Sequence, residues 1–518
     1  MLGAVAALLS CARELPPLGE AVLAVDTDVP VPAIGGTLRL DVFRRDETGA
    51  MTWIDSREVV REDIRDWPVS FSIYAPEGVT RAEAVVRLRL YPSGKTRDYR
   101  GERFLDLPSP DGDPNERFRA PPPPVGEAPR LVRQGKDLTP TAEPDPLVTI
   151  DRLVRVSLAE GRRVALPVLL AGECVGTMAN LATLETCTDT ARTRAPAGEP
   201  AASADATASR VGSWPVHAHP RLRAACDAAA QPEDRRCVPG GAFIVGDRSA
   251  AGSNIDADVE IQSESAPERV AVVAPFVADV FEVTVGRYRR AVAGGFSVKS
   301  GGPQVNDGPI AVGTESAECT FSTSPRDRED YPVNCVSIPE ARAFCAHEGG
   351  RLPSEVEWEY LATNGFTGRR KTTLPWGNDP SFPCEGVIVE RAITAGIGRC
   401  KRLGLGPAPV DLVLRTPPVG NVDRNFLGIV GLVGNVVELT ADTAASYTTR
   451  CWLASPFEQT GCDAPYARYG GTYRGDSWYN APSFPTRRVV SNLVRGDEGG
   501  RSSSNGFRCV YDLAGSAP

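Results

Sequence analysis

Cysteine is the residue type in this chain with the widest range of possible chemistry, because thirteen cysteines occur among 518 residues. Thiolates bind soft metal ions and attack disulfides, whereas paired cysteines stabilise proteins of oxidising compartments. Leaving Cys11 aside gives an even number, and no Cys-x-x-Cys sequence suggests a zinc site. Sequence alone leaves the connectivity open. The spacing favours five short-range disulfides: Cys174 with Cys187, Cys226 with Cys237, Cys319 with Cys335, Cys384 with Cys400, and Cys451 with Cys462.

The N-terminus carries a second cysteine signal. Met1 to Leu9 is apolar, and Leu8-Leu9-Ser10-Cys11 resembles a bacterial lipobox. In that interpretation residues 1–11 are a signal-like segment, and lipidated Cys11 anchors an extracytoplasmic protein in the bacterial periplasm or outer membrane. The alternative is a shortened secretory segment with an incidental cysteine. No later run reaches the ~18–20 apolar residues that a membrane-spanning helix needs.

Histidine is scarce, which limits metal chemistry. His217, His219 and His347 are the three histidines, and the first two lie in a Pro/Ala-rich stretch. A three-histidine centre is therefore not expected, and His217-Ala218-His219 is more simply an exposed loop. The net charge of −9 is spread along the chain without a Lys/Arg block. Nucleic-acid binding has no electrostatic support.

An acidic cluster at Glu355, Glu357 and Glu359 could suggest acid–base catalysis. The preceding Ser354 with Glu357 three residues later forms a capping-box pattern. Acidic side chains in a first helical turn also favour the helix dipole. We therefore interpret this cluster as a helix start.

Composition divides the chain into three parts. Residues 18–187 alternate apolar and polar side chains between Gly, Pro and Asp clusters, which predicts an antiparallel β-sandwich. Residues 188–220 are rich in Ala, Thr, Ser and Pro and are expected to form a linker without a core. Residues 226–513 form the third part. Since no catalytic motif occurs in the first part, its expected role is that of a spacer or interaction module.

The third part contains short motifs in a fixed order. They are Val238–Gly246, Pro275–Thr284, Tyr331–Ser337, Glu340–Cys345, Gly350–Ala362, Leu374–Asn378, Gly428–Leu439 and Ser504–Cys509. In order and spacing the series resembles the formylglycine-generating enzyme (sulfatase-modifying factor) family. The resemblance implies a C-type-lectin-like fold with little regular secondary structure. The predicted fold class is α+β, with an all-β sandwich-like domain preceding this one.

The resemblance also implies a chemistry that this sequence lacks. Family enzymes oxidise a sulfatase cysteine to formylglycine with two nearby cysteines that bind copper(I). The matching stretch places either Gly475 and Asn480, or Asn480 and Pro485, at those positions. No cysteine lies between Asp463 and Arg508. Soft Cu(I) requires thiolates, so copper and this oxidase activity are not expected.

Two further features follow from the resemblance. A calcium site would use Gly434, Val436 and Glu438, but Gly431 stands where an asparagine ligand is usual. Calcium takes ~6–8 oxygen ligands, and water can replace one at reduced affinity. The resemblance also pairs Cys345 with Cys509.

A surface groove is the expected binding site of this fold. It would be lined by the segment that replaces the cysteines, namely Arg474, Asp476, Trp478, Tyr479 and Asn480. Aromatic, arginine and amide groups suit a peptide, glycan or protein ligand of the cell envelope. The alternative for Trp478 is simple packing. The favoured function is a non-catalytic binding or assembly lipoprotein; the alternatives are an enzyme of unidentified chemistry or a genuine formylglycine-generating oxidase.

Overall fold

The computed structural model describes most of the chain, with gaps. The described residues are 19–46, 49, 51–98, 131–188, 194–201, 209–227, 229, 231–247, 268–311, 315–391, 399–415, 420–443, 471–479 and 500–513. Cys11, Cys451, Cys462 and Asn480 lie outside them. Within the described ranges, no helix is both long and apolar enough to cross a membrane.

The N-terminal half is built from strands. They are β1 (Glu20–Thr27), β2 (Thr37–Arg45), β3 (Met51–Val60), β4 (Val69–Tyr74), β5 (Arg81–Tyr91), β6 (Thr96–Asp98), β7 (Val132–Arg133), β8 (Lys136–Asp137), β9 (Ala142–Pro144), β10 (Ile150–Ala159), β11 (Arg163–Leu170), β12 (Glu185–Cys187) and β13 (Arg194–Pro196). The larger sheets have the strand orders β11-β1-β4 and β10-β5-β2-β3. Residues of both sheets belong to one hydrophobic cluster.

The strand alternation explains this shared core. Every second residue of β1 is buried, including Leu23 and Val25, and these join Leu88 of β5 in the cluster. The prediction of antiparallel pairing is wrong for one pair, because β1 and β11 run parallel. Alternation specifies the face on which a side chain lies and not the direction of the neighbouring strand.

Charged residues fill the second face of β5. Arg89 is 1% exposed and pairs with Asp41 at 2.6 Å and with Glu143. Arg87 is equally buried and pairs with Asp151. Buried guanidinium groups are tolerated when carboxylates neutralise them and accept their hydrogen bonds. The central strand of this sheet is therefore covered on both faces.

The segment expected to be a coreless linker partly packs on the N-terminal sheets. Trp214 is fully buried in their cluster, and its ring lies directly over Gly172. Its indole Nε1–H donates to Glu173 at 2.9 Å. His219 also contacts Glu173, at 2.9 Å, while His217 lies 3.5 Å from Asp28. One tryptophan gives this Ala/Pro-rich stretch the apolar anchor that its average composition does not indicate.

The C-terminal half combines short strands with four α-helices in its described part. The strands are β14 (Arg235–Val238), β15 (Gly241–Val245), β16 (Arg269–Val273), β17 (Phe276–Asp279), β18 (Val437–Thr443), β19 (Gly471–Arg474), β20 (Asn505–Gly506) and β21 (Val510–Asp512). The helices are α1 (Val285–Ala293), α2 (Ile338–His347), α3 (Glu355–Ala362) and α4 (Leu412–Arg415). The sheets have the orders β14-β17-β21, β15-β16 and β19-β18-β20. The whole chain is thus mixed α and β, with few helices and many strands.

Helix α3 begins as its sequence predicts. The Glu357 backbone N–H donates to Ser354 Oγ at 3.1 Å, and the Ser354 N–H donates to the Glu357 carboxylate at 2.8 Å. This reciprocal capping box satisfies backbone donors that a helix start otherwise leaves open. It fixes the direction of α3, which carries several buried charged side chains.

The β15–β16 hairpin connects the two halves. Ala242, Ile244, Val270 and Val272 belong to the same hydrophobic cluster as the N-terminal sheets. Glu268, just before β16, is 2% exposed and pairs with Lys95 at 2.6 Å. The two halves therefore share one core across the hairpin.

Five disulfides occur among the described residues. They join Cys174–Cys187, Cys226–Cys237, Cys319–Cys335, Cys345–Cys509 and Cys384–Cys400. The Cys345–Cys509 bond spans 164 residues and ties α2 to the end of the domain.

The fifth short-range pair expected from spacing is not among these bonds. Cys451 and Cys462 both lie in the stretch 444–470, outside the described residues. Four of the five short-range pairs are therefore confirmed by the structure. The bond between Cys451 and Cys462 stays a prediction, which rests on their spacing of eleven residues.

Candidate functional site

Strand β19 places Arg474 inside the domain. Residue 474 lies opposite Glu438 of β18, and its side chain is 0% exposed. The guanidinium pairs with Glu355 at 3.0 Å and with Glu359 at 3.1 Å. Arg474 therefore ties β19 to α3, and these carboxylates neutralise its buried charge. The structure does not offer this side chain to a surface ligand.

The residues that follow Arg474 divide between core and surface. Trp478 is 0% exposed, and its indole Nε1–H donates to the Ser503 carbonyl at 3.3 Å. Asp476 is 5% exposed, whereas Tyr479 is 41% exposed. The predicted groove lining therefore needs correction, because Arg474 and Trp478 are packing residues and only Tyr479 of these is open to solvent. Residue types alone do not separate a buried aromatic side chain from an exposed one.

The structure also bears on where a catalytic cysteine would sit. Gly475 has a φ of +80°, and a Cβ built on it would lie 3.1 Å from the Leu432 carbonyl oxygen. Positive φ is unfavourable for residues with a side chain. A cysteine at position 475 would therefore be strained against this loop.

Thiols in the described part of the chain are all engaged in disulfides. The described cysteine that follows residues 471–479 in the sequence is Cys509, and it is bonded to Cys345. A disulfide sulfur provides no thiolate for Cu(I) until it is reduced. The described cysteines therefore form no copper site of the kind that the family uses.

The acidic residues of α3 have structural partners. Glu357 caps the helix and pairs with Arg351 at 2.7 Å. Glu359 pairs with Lys371 at 3.0 Å and accepts the Gly246 backbone N–H at 2.8 Å. The helix-start interpretation agrees with these contacts, which leave neither carboxylate open as a catalytic base.

Of the predicted calcium ligands Gly434, Val436 and Glu438, Glu438 has its carboxylate occupied by side chains of the protein. The Glu438 carboxylate accepts the Arg508 Nε–H at 2.6 Å and the Trp358 Nε1–H at 2.9 Å. Gly431 supplies no side-chain oxygen. Calcium needs several oxygens with available lone pairs. Across the residues that the structure describes, no group of three His, Cys, Asp or Glu is arranged to hold a metal ion.

A carboxylate that the sequence did not single out faces Gly431. Glu282 is 2% exposed, neither of its carboxylate oxygens has a hydrogen-bond partner among the described residues, and a Cβ on Gly431 would lie 2.6 Å from Oε1. Burial raises the pKa of Glu282 to about 8, although Arg508 opposes the shift. Burial also raises the pKa of Asp423 to about 6. The sequence signal was a single acidic residue inside the apolar run Val280–Val283. This pattern indicates that Glu282 is buried, but it does not indicate that its carboxylate lacks partners or that its pKa is raised.

The N-terminal half contains a cleft between its two larger sheets. It has a volume of about 200 Å³ and is lined by apolar side chains of both sheets, including Phe43, Phe71 and Ile73. Arg44 and Glu83 are also among its lining residues. Its apolar lining suits an apolar group.

The mixed α and β fold of the C-terminal half and the order of its motifs agree with the family resemblance of the sequence. The sulfatase-modifying factor enzyme 1-like domain family matches residues 223–513. The match covers more than half of the 518 residues, and the chain belongs to this family.

Individual relatives include active and inactive proteins. The chain is 27% identical over 307 residues to the formylglycine-generating enzyme of Thermomonospora curvata, covering 53% of this chain and 92% of that one. It is also 27% identical over 299 residues to the inactive C-alpha-formylglycine-generating enzyme 2 of Mus musculus, covering 53% and 84%. The crystal structure of CarF is similar at 17% identity and a TM-score of 0.32, covering 55% of this chain and 99% of that one. That likeness is too distant to support an argument about function.

Proposed function

We propose that this chain is a non-catalytic member of its family that binds a ligand in the cell envelope. The observation that carries the proposal is the absence of cysteine from residues 464–508, where the family's copper-binding cysteines would lie. Cys509 does not substitute, because it is bonded to Cys345. Without a thiolate pair in this stretch, the chain lacks the family's Cu(I) ligands there and the thiol that would capture a substrate.

The surroundings of the segment support this proposal. Arg474 and Trp478 occupy the interior, Arg474 ties β19 to α3, and a side chain at Gly475 would be strained by the positive φ and by a close contact with Leu432. The segment that carries catalysis in the relatives therefore acts as a packing element here. A relative from Mus musculus that is named inactive has a similar extent of identity, so such a loss has a precedent within the family.

An enzyme of another chemistry on this fold could use an iron centre held by three histidines. Such a centre would require His217, His219 and His347 to converge, and the described structure gives this no geometric support. His217 and His219 instead contact Asp28 and Glu173 of the N-terminal half, while His347 packs against Phe296. These different surroundings favour a structural role for all three.

The proposed ligand is a protein, a peptide or a glycan of the cell envelope. The N-terminal sheets, which we interpret as a sandwich-like module, would act as a spacer or a second contact surface. The disulfides are typical of an oxidising compartment. The Leu8-Leu9-Ser10-Cys11 sequence suggests a lipid anchor.

Copper binding tests the proposed loss of catalysis. The full chain, left non-reduced, is titrated with Cu(I) in competition with a chromophoric chelator, beside the Thermomonospora curvata enzyme as the positive control. We expect no stoichiometric Cu(I) binding by this chain. Tight binding of one Cu(I) per chain would contradict the proposal.

The anchor has its own test. Cys11→Ala is expected to move the protein from the membrane fraction to the soluble fraction of the native host, because a lipid chain supplies the membrane affinity. A Cys11→Ala variant that stays membrane-bound would overturn this part of the proposal. The copper result would be unaffected by that outcome.

A further inference from the structure

Arg391 is a buried arginine beside the segment that replaces the catalytic cysteines. Its backbone N–H donates to the Trp478 carbonyl at 2.8 Å, and the residue is 4% exposed. The guanidinium donates from Nη1 to the Gly406 carbonyl at 3.3 Å, while Nε has no hydrogen-bond partner. Within the part of the chain that the structure describes, no carboxylate pairs with Arg391.

Two other buried arginines of this domain are neutralised by carboxylates. Arg474 pairs with Glu355 and Glu359, and Arg508 pairs with Glu438. A buried guanidinium without an anion loses its hydration and gains no compensating attraction. Burial accordingly lowers the pKa of Arg391 from its ordinary value. The positive charge of Arg391 is therefore not neutralised by any described carboxylate, and an anion from outside the chain could neutralise it.

A second buried arginine of this domain is also held by backbone carbonyl groups. Arg328 is 5% exposed and donates to carbonyl oxygens, including those of Asn306 at 2.9 Å and Gly308 at 3.1 Å. Tyr331 interacts electrostatically with both Arg328 and Arg391. Asp307 and Asp327 partly offset the charge of Arg328. Arg391 has no comparable acidic neighbour among the described residues.

An exposed aromatic side chain belongs to the segment with which the Arg391 backbone forms a hydrogen bond. Tyr479 follows Trp478, whose carbonyl accepts the Arg391 N–H, and its ring meets the Trp478 ring edge-on at 5.6 Å between centroids. Its 41% exposure leaves part of the ring available. A guanidinium and an aromatic surface together suit a ligand that joins an anionic group to a flat or apolar part.

We propose that Arg391 anchors a subsite for an oxyanion group, which is a sulfate, phosphate or carboxylate carried by the ligand, and that Tyr479 contacts the adjoining part of that ligand. This inference rests on the proposed binding function and names the chemical class that the site takes. The planar guanidinium offers two parallel N–H donors to such a group.

The test measures binding of simple anions to the full chain. Sodium sulfate, sodium phosphate and sodium acetate are titrated calorimetrically at constant ionic strength set with sodium chloride, and the three arms separate tetrahedral oxyanions from carboxylates. We expect saturable binding of at least one anion. Arg391→Met should weaken it by about tenfold or more, the effect of losing a charge-assisted contact of ~1.4 kcal/mol or more.

Two further variants control for charge and for folding. Arg391→Lys keeps the charge but loses the planar fork, and should bind with intermediate affinity. Arg399→Met removes an exposed arginine of the same disulfide-closed loop, and should bind as the unchanged protein does. Near-ultraviolet circular dichroism verifies folding. If Arg391→Met does not fold, the comparison of Arg391→Lys with Arg399→Met decides the question.

The outcomes separate this inference from the proposed function. The absence of saturable binding in the unchanged protein would overturn the anion subsite, and so would an affinity in Arg391→Met and Arg391→Lys equal to that of the unchanged protein. Sulfate also stabilises proteins non-specifically, so a rise in melting temperature shared by Arg391→Met does not count as binding. Stoichiometric Cu(I) binding would instead overturn the non-catalytic proposal and leave the anion result standing.

Discussion

Arg508 forms a hydrogen-bonded ion pair with Glu438, in which the Arg508 Nε lies 2.6 Å from the Glu438 Oε2. Both side chains are almost completely buried, and Trp358 donates to the same carboxylate. The group that the family resemblance assigned to calcium is thus neutralised by an arginine of the chain itself.

We therefore expect calcium to leave the stability of this protein unchanged. The melting temperature of the full chain in excess calcium should equal that in a chelator, since a ligand stabilises only a state that binds it. A melting temperature that rises with calcium concentration would show that the Glu438 region accepts the ion despite Arg508.

Removing Arg508 should be costly. Arg508→Met leaves the Glu438 carboxylate buried without its cation, which typically costs ~3–5 kcal/mol. Denaturant titration of the full chain measures the loss. Arg399→Met is the matched control, because the Arg399–Glu390 pair is half exposed on the arginine side and should contribute ~0–1 kcal/mol. Equal effects of the two substitutions would contradict the role assigned to the Arg508–Glu438 pair.

Glu282 should make stability fall as pH rises. Burial raises its pKa to about 8 in the folded protein, above its ordinary value of 4.5. The folded state thus keeps a proton that the unfolded state releases, so this contribution is complete below the unfolded pKa and is lost as pH rises towards about 8. Glu282→Gln remains neutral and should gain stability relative to the unchanged protein across this window.

Denaturant titrations at pH 5, 7 and 8.5 check this expectation, because these pH values lie on both sides of the Glu282 pKa of about 8. Asp423, with a pKa raised by burial to about 6, interacts electrostatically with Glu282, so the difference between the two proteins reports the titration of the two coupled carboxyl groups. Parallel stability curves for the two proteins would mean that Glu282 is ionised in both the folded and the unfolded state over this range, and would contradict the raised pKa.

Because the β15–β16 hairpin packs against the N-terminal sheets, we expect a fragment of residues 223–513 to aggregate or to be insoluble when it is produced alone. Separation would expose Ile244 and Val272, which are 5% and 4% exposed in the full chain. In the full chain, Ile244→Ala should cost ~2–5 kcal/mol. Val292→Ala, at a position that is 46% exposed, should change stability by less than ~0.5 kcal/mol. A soluble, monomeric 223–513 fragment in size-exclusion chromatography would contradict the shared core.

Sequence predicted those features that depend on local order. The motif series indicated the fold of the C-terminal half, and Ser354 with Glu357 indicated the start of α3. It did not predict the burial of Arg474, whose partner Glu359 is 115 residues away. Contacts over such distances depend on the complete fold, and residue types compatible with a ligand are equally compatible with packing.

Other differences have the same origin. Trp214 anchors a stretch whose composition indicated a linker, because one large side chain found a site over Gly172. Arg391 carried no sequence signal, since its lack of a carboxylate partner is visible only once its neighbours are placed. Burial without a partner is a property of the folded environment and is not encoded by any local pattern.

Conversion of a sulfatase peptide tests the central claim most directly. The full chain is incubated with Cu(I), a reductant, oxygen and a peptide that contains the Cys-x-Pro-x-Arg sequence recognised by the family, and the peptide mass is followed beside the Thermomonospora curvata enzyme. Because residues 464–508 contain no cysteine, we predict an unchanged peptide mass here and conversion to the aldehyde in the control. Aldehyde formation above the enzyme-free background would contradict the account and require a copper site outside the expected segment.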